Sequence, residues 1–203
     1  MNFQYDQRAA IDTSSGGGEY ITESCVVRGL IQEAKWVKAN SGALGLEISF
    51  ESESGQKANY LTIYYQKKDG QRNEVGYGQI NQIMGCTGVQ SLSNQNNYAI
   101  ELNRKPIAFA LERENYRKSD GNDGFRFQIK CIMSANSWLT VAEHASGSGP
   151  GDKEYWAARF AQNPKGAPIR QQAAQQHQSY YGGQQNSDPG FAPSDDFDAD
   201  VPF

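Results

Sequence analysis

Long apolar runs are missing from this 203-residue chain. No stretch approaches the roughly 18 residues that a membrane-spanning helix needs. The opening MNFQYDQRAA also lacks a basic start followed by an apolar segment. Both absences lead us to expect a soluble, cytoplasmic protein with no membrane contact. Cysteine is scarce: Cys25, Cys86 and Cys131 are widely spaced and form no CxxC pair. The two histidines, His144 and His177, have no second ligand nearby in sequence. A disulfide scaffold and a zinc site are therefore not expected, and the thiols read as small, reduced apolar side chains. A phosphate-binding glycine loop, a Ser/His/Asp order and a Cys/His pair are absent too. Glu47, Glu51 and Glu53 cluster in one segment, and a metal-dependent nuclease could use such carboxylates. No second carboxylate group is spaced to meet them, so they read as solvated. We expect no enzyme, no metal and no cofactor.

A large excess of charge of either sign is also lacking. The net charge is −4, but it is unevenly placed. Residues 1–164 carry 17 basic and 18 acidic side chains, and residues 165–203 carry two basic and five acidic ones. The acidity belongs to the carboxy-terminal tail, so an acidic average does not exclude an anionic partner for the body.

Strand signals fill the body. Residues 20–38 read as one long strand, with Gly29 marking a bend. Leu44, Leu46, Ile48 and Phe50 alternate with small or polar residues, the period-2 pattern of a half-buried strand. Residues 57–67 form a third strand. A helix is expected next, with Tyr77, Ile80 and Met84 on one face and Gly85 and Gly88 at its end. Ile107, Phe109 and Leu111 mark the fourth strand. The turn sequence SDGNDG leads into a fifth, whose Phe125, Phe127, Ile129, Cys131 and Met133 should face inward. Residues 152–162 read as a short appended helix that Asp152 would cap, with Trp156 and Phe160 on one face.

Three meandering strands, a helix and then a hairpin is the connectivity of a mainly β, five-stranded OB-fold barrel. The organisation we expect is an amino-terminal arm (1–18), the barrel (19–146) and a linker with the short helix (147–164). A disordered Gln/Gly/Pro-rich linker (165–194) and an acidic tip (195–203) follow. The segment from 165 to 194 has too few apolar residues to offset its ordering entropy.

On the strands' outward side, aromatics are interleaved with cations: Tyr60 and Tyr64 on the third strand, Arg126 and Lys130 on the fifth, and Lys35, Trp36 and Lys38 at the end of the first. Lys57 opens a 57–72 segment with four cations against one anion. Bases stack on aromatic rings and cations track phosphates, so this pattern suits single-stranded nucleic acid. Surface tyrosines and lysines that merely cover a sheet would look the same, which keeps a protein-binding scaffold as the alternative.

The tip, DDFDADVPF, joins acids to apolar residues and finishes in Pro-Phe. Phe203 combines a ring with the α-carboxylate, a pair that a pocket with a basic rim can hold, and Pro202 lowers the ordering cost. Asp198, Asp200, Val201, Pro202 and Phe203 resemble the ending of bacterial single-stranded DNA-binding proteins, although Phe197 and Ala199 break the acidic run. The body is similar to the bacteriophage-encoded branch of that family, in its arm, its AKWVKANSGALGLEISFE stretch and its YLTIYY strand. The resemblance implies a non-enzymatic protein that coats single-stranded DNA with little sequence preference. It would act in DNA replication, recombination or repair, in a bacterial host's cytoplasm if phage-encoded. The tip would recruit replication or recombination enzymes. A homo-oligomer is compatible with the sequence.

Overall fold

The computed structural model describes residues 19–168. The expected arm (1–18), most of the linker and the whole tip, including Asp198, Asp200, Val201, Pro202 and Phe203, lie outside the described residues.

Five strands form one antiparallel sheet: β1 (Cys25–Lys38), β2 (Leu44–Ser52), β3 (Lys57–Gln66), β4 (Pro106–Arg117) and β5 (Asp123–Met133). Their order is β3-β2-β1-β4-β5. β3 and β5 approach one another but share no ladder, so the sheet is open and the expected barrel closure is not present. Helix α1 (Glu74–Thr87) lies against β3, β4 and β5. Two further helices, α2 (Val141–Ser146) and α3 (Gly151–Gln162), follow β5.

The bend expected at Gly29 is where β1 changes partners. Residues 25–30 pair with β4, and residues 29–38 pair with β2. The strand starts at Cys25 rather than at residue 20, because the preceding chain crosses to another edge. There Ile21 N–H donates to the Lys57 carbonyl at 2.9 Å, and Lys57 N–H to that of Glu19 at 2.9 Å.

Apolar alternation on β2 lands as expected, with Leu46, Ile48 and Phe50 fully buried. The main core joins them to Ile31, Leu61, Ile63, Ile83, Leu102, Phe109 and Leu111. Phe50 and Phe109 meet edge to face, ring centroids 5.3 Å apart.

The helix runs through Gly85 and ends at Gly88, which adopts the left-handed conformation (φ 72°) that an α-carbon without a side chain takes readily. Its buried face is Gly76, Ile80 and Ile83. Tyr77, expected to be buried, is exposed, with the Arg72 guanidinium 4.5 Å from its ring centroid. The cause is close packing. A Cβ on Gly76 would overlap the Tyr64 carbonyl oxygen, so the helix lays its glycine on β3 and turns Tyr77 outward.

The fifth strand corrects a second expectation. Ala110 pairs with Cys131 but Leu111 pairs with Ile129, so a bulge at Lys130 reverses the alternation. Phe127, Ile129 and Ile132 face the main core, whereas Cys131 and Met133 join Ala108, Ala110 and Phe160 in a second core on the opposite face. Phe125 lies beyond the core, exposed under the Arg113 guanidinium, which sits 4.0 Å from its ring centroid.

The second core exists because α3 docks on β1 and β4. The short helix expected within residues 147–164 is present and packs on the sheet. Trp156 and Phe160 do share a face, with centroids 5.5 Å apart. Pro150, not Asp152, is the residue before the helix. Asp152 instead places its Oδ2 3.2 Å from the Thr140 hydroxyl oxygen, whose one proton goes to the nearer Glu143. Order continues past residue 164, where the Asn115 amide donates to the carbonyls of Lys165 and Ala167 at 2.8 and 2.9 Å.

Buried Glu143 ties α2 to α3. It accepts from Thr140 N–H at 2.8 Å, from the Thr140 hydroxyl at 3.0 Å and from Asp152 N–H at 2.8 Å, which completes a capping box. Burial opposes its charge, but these hydrogen bonds hold its carboxyl below the usual range. The stabilisation is thus present above the ordinary carboxylate range and lost as pH falls through the native pKa. Glu143→Ala should cost about 1 kcal/mol at neutral pH. In thermal unfolding at a series of pH values, its deficit against the wild type should shrink in acid.

All three cysteines are free. Burial raises the thiols of Cys25 and Cys86 to about 11 and that of Cys131 to about 12. They are therefore protonated at neutral pH and pack as apolar groups.

Candidate nucleic-acid interface

One side of the sheet is divided. Over the first half of β1, β4 and the end of β5 at Cys131 and Met133 it is covered by α3. Over β3, β2 and the second half of β1 it is open, and four of the eight expected DNA-binding residues fall there: Lys35, Lys57, Tyr60 and Tyr64.

Tyr60 is the most exposed large side chain of that face, at 77%. Ile48 pairs with Leu61 while Phe50 pairs with Ala58, so Asn59 and Tyr60 form a bulge opposite Ser49. Tyr60 takes a left-handed backbone, φ 61°. That conformation is costly for an aromatic residue, and bulges re-aim side chains. Tyr60 keeps the outward side of Thr62 and Tyr64, and the bulge is what turns the same-parity Ala58 into the core.

Tyr64 lies farther along β3, opposite Gly45. A Cβ on Gly45 would come within 3.1 Å of the Tyr64 ring edge and of the Thr62 methyl. The glycine therefore seats the tyrosine ring on the β2 backbone. Tyr60, Thr62 and Tyr64 make a row of one strong and one partly covered aromatic surface.

Lys35 is on this face too, paired across strands with Glu47. Glu33, opposite Ser49, and Glu51, opposite Lys57, add two more carboxylates. Burial, followed by the charge of Glu33, raises the Glu47 carboxyl above its usual range against the pull of Lys35. The glutamate row is thus a real electrostatic feature, with Lys35 and Lys57 as its counterweights. Among the described residues no ion pair engages Lys57 or Lys38, the latter exposed at the end of β1. Also among the described residues, no three carboxylate, histidine or cysteine side chains gather as a metal-holding group.

Trp36 does not share this face. It lies on the core side beside Ala34, packs edge to face on Tyr65 with centroids 5.5 Å apart, and donates its indole N–H to the Ser93 carbonyl at 2.9 Å. Arg126 and Lys130 sit apart, on β5. Arg126 is ion-paired with Glu114 at 2.7 Å and Lys130 with Glu112 at 3.0 Å. Burial works against the Glu114 charge, yet Arg126 and Gln128 hold its carboxyl below the usual range. Both cations are therefore compensated across the strand pair by carboxylates of β4.

Sequence reasoning missed Tyr20, Arg28, Arg104, Trp138 and Lys153. Tyr20 is exposed and forms a parallel bridge with Lys57. Arg28 and Lys153 approach the Trp138 ring, at 5.4 and 4.5 Å from its centroid. The only sequence signal was a lone Trp in the polar stretch SANSW.

Taken together, the open face offers ring surfaces for planar groups and cations near its margins for anions. No helix among the described residues is long and apolar enough to cross a membrane. No protein-family model matches the chain, and no curated protein matches it either.

Proposed function

We propose that this protein binds single-stranded DNA, without catalysing a reaction, by stacking bases on the open face of β1–β3. The observation that carries the reading is Tyr60, a 77% exposed ring held by a bulge in a left-handed backbone. Strained conformations of this kind concentrate where a side chain has a task. Tyr64 extends the row, Lys35 and Lys57 flank it, and Lys38 stands exposed at the end of β1. A bent β1 shared by two strand pairs, with a helix between β3 and β4, supports an OB-type body, in which α1 lies where β3 and β5 would close. The acidic tip, through Asp198 to Phe203, would recruit partner enzymes of replication or recombination.

The glutamates Glu33, Glu47 and Glu51 favour a second reading, a scaffold whose open face meets a protein, because carboxylates repel phosphates. Electrophoretic mobility shifts with single- and double-stranded oligonucleotides at two salt concentrations separate the two. Preference for single strands that weakens with salt supports the DNA reading. No shift at low salt favours the scaffold.

The ion pairing sorts the cations. Lys57→Ala should reduce the slope of log affinity against log salt by about 0.7. Arg126→Ala should leave the slope nearly unchanged, since its charge is compensated by Glu114. Titrations of the two variants across a salt series check this.

A further inference from the structure

A groove runs along the bend of β1, at the border between the open face and the part of the sheet covered by α3. It consists of two adjoining clefts of about 490 and 400 Å³. Arg28, Ser52 and Glu53 line both, and the Arg28–Glu53 ion pair, at 2.8 Å, stands between them. Arg104 lines one cleft and Trp138 the other.

Several backbone irregularities converge here. The β1 bulge falls at Gln32, which turns toward the first cleft. Arg104 has φ 58° and Trp138 has φ 62°. Neither is a glycine, and each conformation is costly for a residue that carries a side chain. Arg104 is held there by its N–H donating to the Ile31 carbonyl at 2.6 Å, and Trp138 by its N–H donating to that of Ser134 at 2.9 Å. Turns that needed only to reverse the chain would be served by glycine. These turns carry instead a guanidinium and an indole, aimed at one groove.

We propose that this groove holds a nucleotide unit, with its phosphate between Arg28 and Arg104 and its base against Trp138. The chemistry is matched at two points: the Arg104 guanidinium for a phosphate, joined by Arg28 once that side chain leaves Glu53, and the Trp138 ring, already approached by cations, for a base. Lys153, now 4.5 Å from the Trp138 ring centroid, yields the ring to the base. Glu51 connects the groove to the row containing Tyr60. Tyr60 lies three residues along β3 from Lys57, the partner of Glu51, or about 10 Å. A strand stacked on Tyr60 therefore reaches the groove within a few nucleotides. The inference rests on the single-stranded DNA reading for the strand itself. A free nucleotide presents the same phosphate and base.

The test uses the full chain, an oligo-dT of about 15 nucleotides and free thymidine monophosphate. Arg104→Gly removes the guanidinium and leaves a residue suited to φ 58°, so folding is preserved. Trp138→Phe keeps a ring but removes the indole emission. We expect oligo-dT to quench tryptophan fluorescence in the wild type and the quench to be largely lost in Trp138→Phe at similar affinity. Arg104→Gly should weaken binding about tenfold at a thermal stability no lower than that of the wild type. If Tyr60→Ala weakens binding but Arg104→Gly does not, and the quench persists in Trp138→Phe, the groove is empty and the inference fails while the DNA reading stands. If the wild type ignores oligo-dT, the DNA reading fails. Thymidine monophosphate then decides: an Arg104-dependent quench assigns the groove to a free nucleotide, and no quench overturns the proposal.

Discussion

Alanine at both Tyr60 and Tyr64 should lower affinity for a short oligo-dT by about 2–6 kcal/mol, a fall of at least about thirtyfold. Each stacked base is worth about 1–3 kcal/mol. Tyr60 should account for the larger part, because its ring is 77% exposed whereas Tyr64 rests partly on Gly45. Truncating Tyr60 to alanine leaves a Cβ in a left-handed backbone, so a loss of binding could be confused with local refolding of the bulge. Tyr60→Gly resolves this. It removes the ring and relieves the backbone, and should bind as weakly as Tyr60→Ala while being somewhat more stable. Fluorescence anisotropy with labelled oligonucleotide, beside thermal unfolding of each variant, gives both quantities. A double variant that binds like the wild type would place the DNA elsewhere, and the glutamate row of β2 would then mark a protein-binding face.

The fold was legible wherever periodicity alone decides the face of a strand. On β2 the alternation of Leu46, Ile48 and Phe50 with Glu47, Ser49 and Glu51 is matched by burial of the apolar set. It failed where a bulge shifts parity. Nothing in the composition of FRFQIKCIM tells that Lys130 is the extra residue, yet that one insertion moves Cys131 and Met133 to the other side of the sheet. At Tyr60 the same physics worked the other way. Strict alternation also places Tyr60 with Thr62 and Tyr64, but the buried Ala58 shows that the side is not uniform, and the bulge makes the difference. The helix face was misread because close backbone approach outweighed apolar burial. Gly76 carries no hydrophobic signal, but it alone fits against the Tyr64 carbonyl.

The candidate site was legible in its residue types and less so in its electrostatics. Tyr60, Tyr64, Lys35 and Lys57 are brought onto or beside one face, as their spacing implied. Trp36 is not, because the β1 bulge and the Ser93 carbonyl draw its ring to the core side. Arg126 and Lys130 look like an anion-binding pair only until β4 is placed beside them, because Glu112 and Glu114 are distant in sequence and adjacent in the sheet. Charge counted along a segment ignores cross-strand partners, so it overstates the field of any strand whose neighbour carries the opposite sign. Trp138 and Arg104 escaped for a related reason. They sit in turns, where no periodicity gives a direction, and only their left-handed backbones reveal the groove they share.

Phe109→Ala should be the most destabilising single truncation we can name, at about 3–5 kcal/mol. Phe109 is fully buried on β4, opposite Val27 of β1 on one side and Ile132 of β5 on the other, and its ring meets that of Phe50 on β2. It is thus the side chain through which the outer strand pair β4–β5 holds the β2–β3 half across β1. Deleting it removes the transfer free energy of a large ring and leaves a cavity that a strand core closes only in part. Against a total stability of about 5–15 kcal/mol for a domain, such a loss would leave a detectable unfolded fraction near physiological temperature if the protein lies at the low end. Urea denaturation of the variant and the wild type, with equal m-values, measures the difference as a shift in midpoint. A loss below about 1 kcal/mol would mean that the core relaxes around Phe50 after truncation. The two halves of the sheet would then be joined mainly by the β1 ladders rather than by this aromatic contact.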